Sequence, residues 1–154
     1  MNYWLLKSEP DAFSIDDLRN MPGKKDHWDG IRNYQARNMM RDDMRKGDLA
    51  FFYHSSCAVP GVVGIMEVVK EAYDDHTALD SKSKYYDVKA TSENPRWCMV
   101  DVKYKKKFKQ IISLEELKQN KKLKNMTLLR KGNRLSIMPV TATEWKVIMA
   151  MAGS

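Results

Sequence analysis

The sequence predicts an α+β domain: a mixed sheet or small barrel flanked by short helices. Three observations lead there. Runs rich in aromatic and β-branched residues recur along the chain and read as strands. The segments between them open on recognisable helix caps but stay short. No regular alternation of strand and long helix appears, which argues against a parallel doubly wound sheet. The 154 residues fit one domain (1–154), with no Ser/Gly-rich linker and no internal repeat. A chain of that length hides roughly 68–70% of its unfolded surface, enough to fold without a metal or a disulfide.

Taken in order, Tyr3-Trp4-Leu5-Leu6 reads as a short strand stopped by Ser8-Glu9-Pro10. Ser14 caps a short helix whose first turn carries Asp16 and Asp17 at the positive end of the dipole. Met21-Pro22-Gly23 ends it. Residues 26–33 show no period and read as a loop. A helix is expected from Asn33 as cap to about Arg45, with Ala36, Met40 and Met44 as its apolar stripe and Arg37, Arg41 and Arg45 beside it. Residues 49–53 and 62–70 are strands. Gly64 inside the second marks a bulge or the close approach of another backbone. Residues 71–95 are polar and irregular, and 97–108 form a third long strand that turns basic. Ser113-Leu114-Glu115-Glu116 is a capping box opening a helix to about Asn120. A short helix over 123–129, a strand over 134–139 and a final helix capped by Thr143 complete the chain.

Lys and Arg number 27 against 20 Asp and Glu, a net charge of +7 that suits a polyanionic partner. No apolar run approaches the ~20 residues of a membrane helix, and the N-terminus lacks the pattern of a secretory signal. The expectation is a soluble intracellular protein without a membrane partner, cytoplasmic, or nuclear if the source is a eukaryote. Cys57 and Cys98 show no disulfide or zinc spacing, so both read as reduced thiols. The three histidines and two cysteines never form two close pairs with ligand spacing, so no metal is expected. The glycines form no phosphate loop, and no paired carboxylates sit beside a candidate base in an apolar setting. No cofactor and no catalytic residue are assigned.

What remains is a set of aromatic and polar residues next to loops: Trp4, Trp28, Tyr34, Tyr53, His54 and Trp97, with Lys7, Ser8, Arg32, Asn33, Arg37, Arg134 and Ser136. A ring stacks a base, polar groups read its edge and cations hold phosphates, so the set suits an extruded nucleotide. Trp4 and Trp97 lie on strands and read first as core. Trp28 lies in a polar loop, where pocket wall and packing are both open readings. The default for His54 is a structural histidine. The lysines of 103–109 form either a phosphate ridge or a charged edge strand that resists sheet-to-sheet pairing.

Several of these segments together carry a resemblance. Tyr3-Trp4-Leu5-Leu6-Lys7-Ser8-Glu9-Pro10 and Trp28-Asp29-Gly30-Ile31-Arg32-Asn33-Tyr34-Gln35-Ala36-Arg37-Asn38 resemble the two long motifs of the EVE domain family. Lys46-Gly47-Asp48, Phe52-Tyr53-His54-Ser55, Pro95-Arg96-Trp97 and Arg134-Leu135-Ser136 follow in the family's order. The resemblance implies a PUA-like small mixed β-barrel flanked by short helices. It also implies a non-enzymatic module that binds DNA or RNA and takes one flipped, modified base, a modified cytosine above all, into a pocket. Carried onto this sequence, the pocket residues are Lys7, Ser8, Trp28, Asn33, Tyr34, Tyr53, His54, Ser55, Arg134 and Ser136. Arg32, Arg37 and Lys106 are the phosphate contacts. Met138 stands where relatives often have Gln, which would change base preference if that side chain reads the base. The competing reading is an enzyme or accessory factor in RNA or nucleotide modification.

Overall fold

A computed structural model describes residues 1–153. Six strands and four helices run in the order β1 (Tyr3–Ser8), α1 (Ile15–Arg19), β2 (Lys25–Trp28), α2 (Tyr34–Asp42), β3 (Leu49–His54), β4 (Gly61–Asp74), β5 (Cys98–Ser113), α3 (Leu114–Gln119), β6 (Ile137–Val140) and α4 (Ala142–Met151). The strands form one sheet in the order β2-β5-β4-β3-β1-β6. Only β1 and β3 run parallel; the other neighbours are antiparallel.

The mixed sheet and the short helices agree with the α+β expectation, but the barrel does not form. β2 and β6 are the two ends of an open sheet, and no hydrogen-bonded ladder joins them among the described residues. Both are four residues long, so neither offers much edge to a partner. Helix α2 packs against β4, β5 and β6.

The strand alternation sorts the core onto two faces. Trp4, Leu6, Ala50, Phe52, Met66, Val100 and Val102 share one face with Ile15 and Leu18 of α1 and Ala36 and Met40 of α2. Leu5, Phe51, Tyr53, Ile65 and Phe108 share the other with Leu117 of α3 and Trp145 and Ile148 of α4. Trp145 stacks on Phe51 at 3.9 Å and on Tyr3 at 4.5 Å, fixing α4 to the sheet. Gly64 sits at a register shift, where an added Cβ would lie 2.2 Å from the Lys106 carbonyl oxygen. That glycine is therefore required for the close approach of β5.

Several boundaries differ from the sequence reading. Residues 25–28 pair with Val100–Lys103 as β2, although only Trp28 of the four is buried. The last helix is capped by Thr141, not Thr143. Thr141 has Glu144 three residues on, and each accepts the other's backbone N–H, at 3.1 and 3.0 Å. Lys146 occupies the corresponding position after Thr143 and cannot accept. α2 ends at Asp42, two tight helical turns at Lys121–Leu123 and Thr127–Leu129 replace the one helix expected over 123–129, and the last strand begins at Ile137.

Candidate nucleic-acid interface

The parallel pairing of β1 and β3 brings Lys7 beside Tyr53 and Ser8 beside His54, so the two strands end together. Ser55 N–H donates to the Ser8 carbonyl at 3.0 Å, and Lys7 N–H donates to the Ser136 carbonyl at 2.8 Å. Three distant segments thus meet at one rim. Across from them runs the end of β2 with Trp28, Asp29 and Gly30. Residues 76–96 cross over as a strap and add Lys84 and Tyr85. A cleft of about 770 Å³ lies between these walls.

Trp28 does both things that the sequence left open. It is 6% exposed and packs edge-on against Phe52 at 5.2 Å and Phe13 at 6.3 Å. It also lines the cleft, and its indole N–H has no hydrogen-bond partner among the described residues. Trp4 and Trp97 are core: their indole N–H groups donate to Asp48 at 2.9 Å and Asp87 at 2.6 Å.

Around the cleft, Lys7, Lys84 and Arg134 make no ion pair among the described residues. Lys7 lies over the Tyr53 ring and Lys84 over the Tyr85 ring, at 5.8 and 5.0 Å. Burial pulls the Lys7 ammonium below its ordinary pKa. The hydroxyls of Ser55 and Ser136 likewise lack partners, while Ser8 donates its own to the Phe13 carbonyl at 2.7 Å. Such groups are open to an incoming polar ligand.

The strap is held by an internal network. Asp75 is fully buried and accepts from Gly30 N–H at 3.0 Å, Thr77 N–H at 2.8 Å and Arg32 at 3.1 Å, with the Thr77 hydroxyl in addition. Burial pushes the Asp75 carboxyl up, but these donors together outweigh it and hold the group below the usual carboxylate range. Arg32 also donates to the Tyr85 carbonyl, at 3.0 and 2.6 Å, and to that of Ile31 at 2.8 Å. Gly30 has φ +77°, and a Cβ there would lie 2.6 Å from the Tyr85 ring. Glycine at this position lets the strap close on the cleft.

The remaining expected residues lie elsewhere. Asn33 caps α2, accepting from Ala36 N–H at 3.0 Å. Tyr34 stacks on Trp97 at 4.8 Å, with Arg37 over its ring at 4.6 Å and Arg96 donating to its hydroxyl. Arg37 donates to the Arg96 carbonyl at 2.9 Å. Tyr53 is buried on the α4 side of the sheet, where burial pushes its phenol up to about 12. His54 accepts Ile15 N–H on Nε2 at 3.1 Å, and burial pulls its imidazole below the ordinary value. It serves as the acceptor for the first turn of α1. Met138 is fully buried among the residues under α4, so it does not face the cleft. Lys106 pairs with Ile65 along β5, while its neighbours Lys105 and Lys107 make ion pairs with Glu67 and Asp16 at 3.0 and 2.9 Å. β2 covers β5 only at 100–103, so the later lysines lie on an open strand edge, which fits their role as edge charge.

Asp29, Lys84 and Tyr85 are cleft residues that sequence reasoning missed. Asp29 stood next to Trp28 in the same motif and was legible by adjacency. Lys84 and Tyr85 carry no local signal, because Arg32, more than fifty residues earlier in the chain, positions them.

The EVE domain family model matches residues 2–151. Thymocyte nuclear protein 1 of Danio rerio is 44% identical over 165 residues, covering 96% of this chain and 71% of that protein. A Pseudomonas syringae crystal structure superposes with TM-score 0.93 at 54% identity, over 97% of this chain and 99% of the other. The crystal structure of human THYN1 in complex with 5-methylcytosine-containing DNA gives TM-score 0.94 at 42% identity, over 100% and 99% of the two chains.

Proposed function

The chain belongs to the EVE domain family, and on that footing we propose that it binds DNA carrying a modified cytosine and takes the flipped base into the cleft beside Trp28. The observation that carries this reading is the cleft itself. Among the described residues, it combines an aromatic wall with an unpaired indole N–H, two free hydroxyls and three cations that no carboxylate neutralises. The methylcytosine complex of human THYN1, at 42% identity, supports the same ligand class.

Flipping a base costs a few kcal/mol of unstacking, least in a single strand. Stacking returns ~1–3 kcal/mol per base. Lys7, Lys84 and Arg134 supply the sequence-independent attraction to phosphates. Arg32 acts at one remove, by holding the strap that carries Tyr85. The geometry favours a binder over a catalyst. Burial pushes the Cys98 thiol up to about 11, the reverse of an activated thiolate, and His54 already uses Nε2 for Ile15.

The test is a titration of single-stranded oligonucleotides with methylated or unmodified cytosine, using the native chain and Trp28→Phe. Trp28→Ala is a poor probe, because a hole beside Phe13 and Phe52 would cost ~3–5 kcal/mol of stability. The phenyl keeps the packing but loses stacking area and the indole N–H, so affinity should fall by about 3- to 30-fold. Undiminished affinity removes Trp28 from the site. Equal binding of both strands by the native chain overturns the reader function.

A further inference from the structure

We propose that Asp29 selects the base: its carboxylate accepts the exocyclic amino group of cytosine, so that the cleft admits methylcytosine and rejects thymine. This rests on the flipped-base reading above and goes further by naming the residue that tells one pyrimidine from another.

Three carboxylates border the cleft, and only one is placed for this task. Glu9 is exposed at the rim. Asp26 is occupied by its neighbour, with Oδ1 accepting His27 N–H at 2.8 Å and lying 3.2 Å from His27 Nδ1. Asp29 directly follows the stacking residue Trp28, and its side chain is only 25% exposed. Its side-chain contact is His27 Nε2, 3.3 Å from Oδ2, and no other side chain donates a hydrogen bond to it among the described residues. The imidazole holds Oδ2, and the carboxylate as a whole lines the cleft. Burial raises the Asp29 carboxyl above its ordinary pKa; His27 and a hydrogen bond from its own backbone N–H oppose that, and Asp75 and Asp26 add to it. A partly desolvated acceptor of this kind gains most from a new donor.

The chemistry of the ligand edge then decides. Trp28 and Asp29 both line the cleft, so a base lying on the Trp28 ring presents its edge to the wall that carries Asp29. Cytosine offers an amino donor there, and carboxylates are the side chains that accept from it. Thymine has the same ring skeleton and the same methyl group but carries a carbonyl at that place and a proton on the neighbouring N3. Two acceptors would then face each other in a site with little water, and the base is rejected by a contact that cannot form.

The experiment uses one single-stranded sequence with methylcytosine or thymine at the same position, so that no base pair has to open. The native chain should bind the methylcytosine strand roughly tenfold or more tightly than the thymine strand. Asp29→Asn is nearly isosteric, and its amide can donate to the thymine carbonyl. It should bring the two affinities to within about twofold, mainly by a gain for thymine. A gain of binding cannot come from a misfolded protein. Asp29→Ala should lose the preference through weaker methylcytosine binding alone. If both variants keep the native preference, Asp29 is not the selector although the cleft still reads the base. If the native chain binds both strands equally, the selector is overturned. If it binds neither, the base-reading function falls with it.

Discussion

Replacing Arg32 by Gln separates two roles for the most conspicuous cation of the Trp28–Asn38 motif. The side chain reaches Asp75 and two backbone carbonyls, and is 23% exposed. Removing the charge leaves Asp75 fully buried but still holding Gly30 N–H and both donors of Thr77. A buried pair stripped of one partner costs ~3–5 kcal/mol when nothing remains to compensate. Here three donors remain, so we expect ~2–3 kcal/mol, the value of the lost charged hydrogen bonds. Against a typical domain stability of ~5–15 kcal/mol this is a clear shift in a urea midpoint. Residues 76–96 should also become more open to protease and to amide exchange, because the Tyr85 carbonyl loses its anchor. Affinity for the oligonucleotide should fall, yet the slope of log affinity against log salt should not change, because no phosphate contact is lost. If stability is unaffected and the slope drops by about 0.7, as for one phosphate contact on a single strand, Arg32 touches the backbone directly and the anchoring argument is wrong.

The exposed cations give the complementary result. Arg134→Gln should lower affinity for methylated and unmodified strands alike and reduce the salt slope by about 0.7; an unchanged slope would place the backbone elsewhere. Lys106→Gln should leave the slope as it is, and a fall of the same size would extend the strand's path along β5. The Asp75 network predicts a pH dependence of stability. Its carboxyl titrates lower in the folded chain than the ~3.9 of an unfolded aspartate. Its contribution is therefore complete above that value and is lost as pH falls through the folded pKa. Urea midpoints measured between about pH 5 and pH 2 should fall less steeply in Asp75→Asn than in the native chain. Parallel curves would show that this carboxylate does not carry the acid sensitivity.

Features that a short window of sequence can hold were legible. Ser14 with Asp17, Ser113 with Glu116 and Asn33 before α2 each cap a helix where the pattern puts one. The bulge at Gly64 and the burial of Trp4 and Trp97 are equally local in origin. β2 was not legible, because Lys25–Trp28 has no apolar alternation and becomes a strand only by pairing with β5. The barrel implied by family resemblance also fails on a tertiary fact, an open sheet whose end strands β2 and β6 do not pair among the described residues. The site divides in the same way. Ser8, Trp28, Ser55 and Ser136 come from motifs and line the cleft, whereas Tyr53, His54, Asn33 and Tyr34 come from the same motifs and support the fold around it.

Charge makes the division sharpest. A guanidinium that faces solvent and one turned onto a carboxylate forty-three residues away look identical in sequence, and Arg32 is the second kind. Arg37 is tied to the Arg96 carbonyl and the Tyr34 ring, and Lys105 and Lys107 are paired with acids. The excess of +7 is thus a poor guide to where a polyanion lies. Among the described residues, the cations left without a carboxylate at the cleft are Lys7, Lys84 and Arg134, one from the end of β1, one from the strap and one from the approach to β6. They converge only because β1 is flanked by β3 and β6 while Arg32 pulls the strap across. The same fold that withdraws arginines from solvent to build the cleft wall leaves three other cations at its rim, which is why the proposed reading gives the phosphates to them and the choice of base to an uncharged ring with one carboxylate.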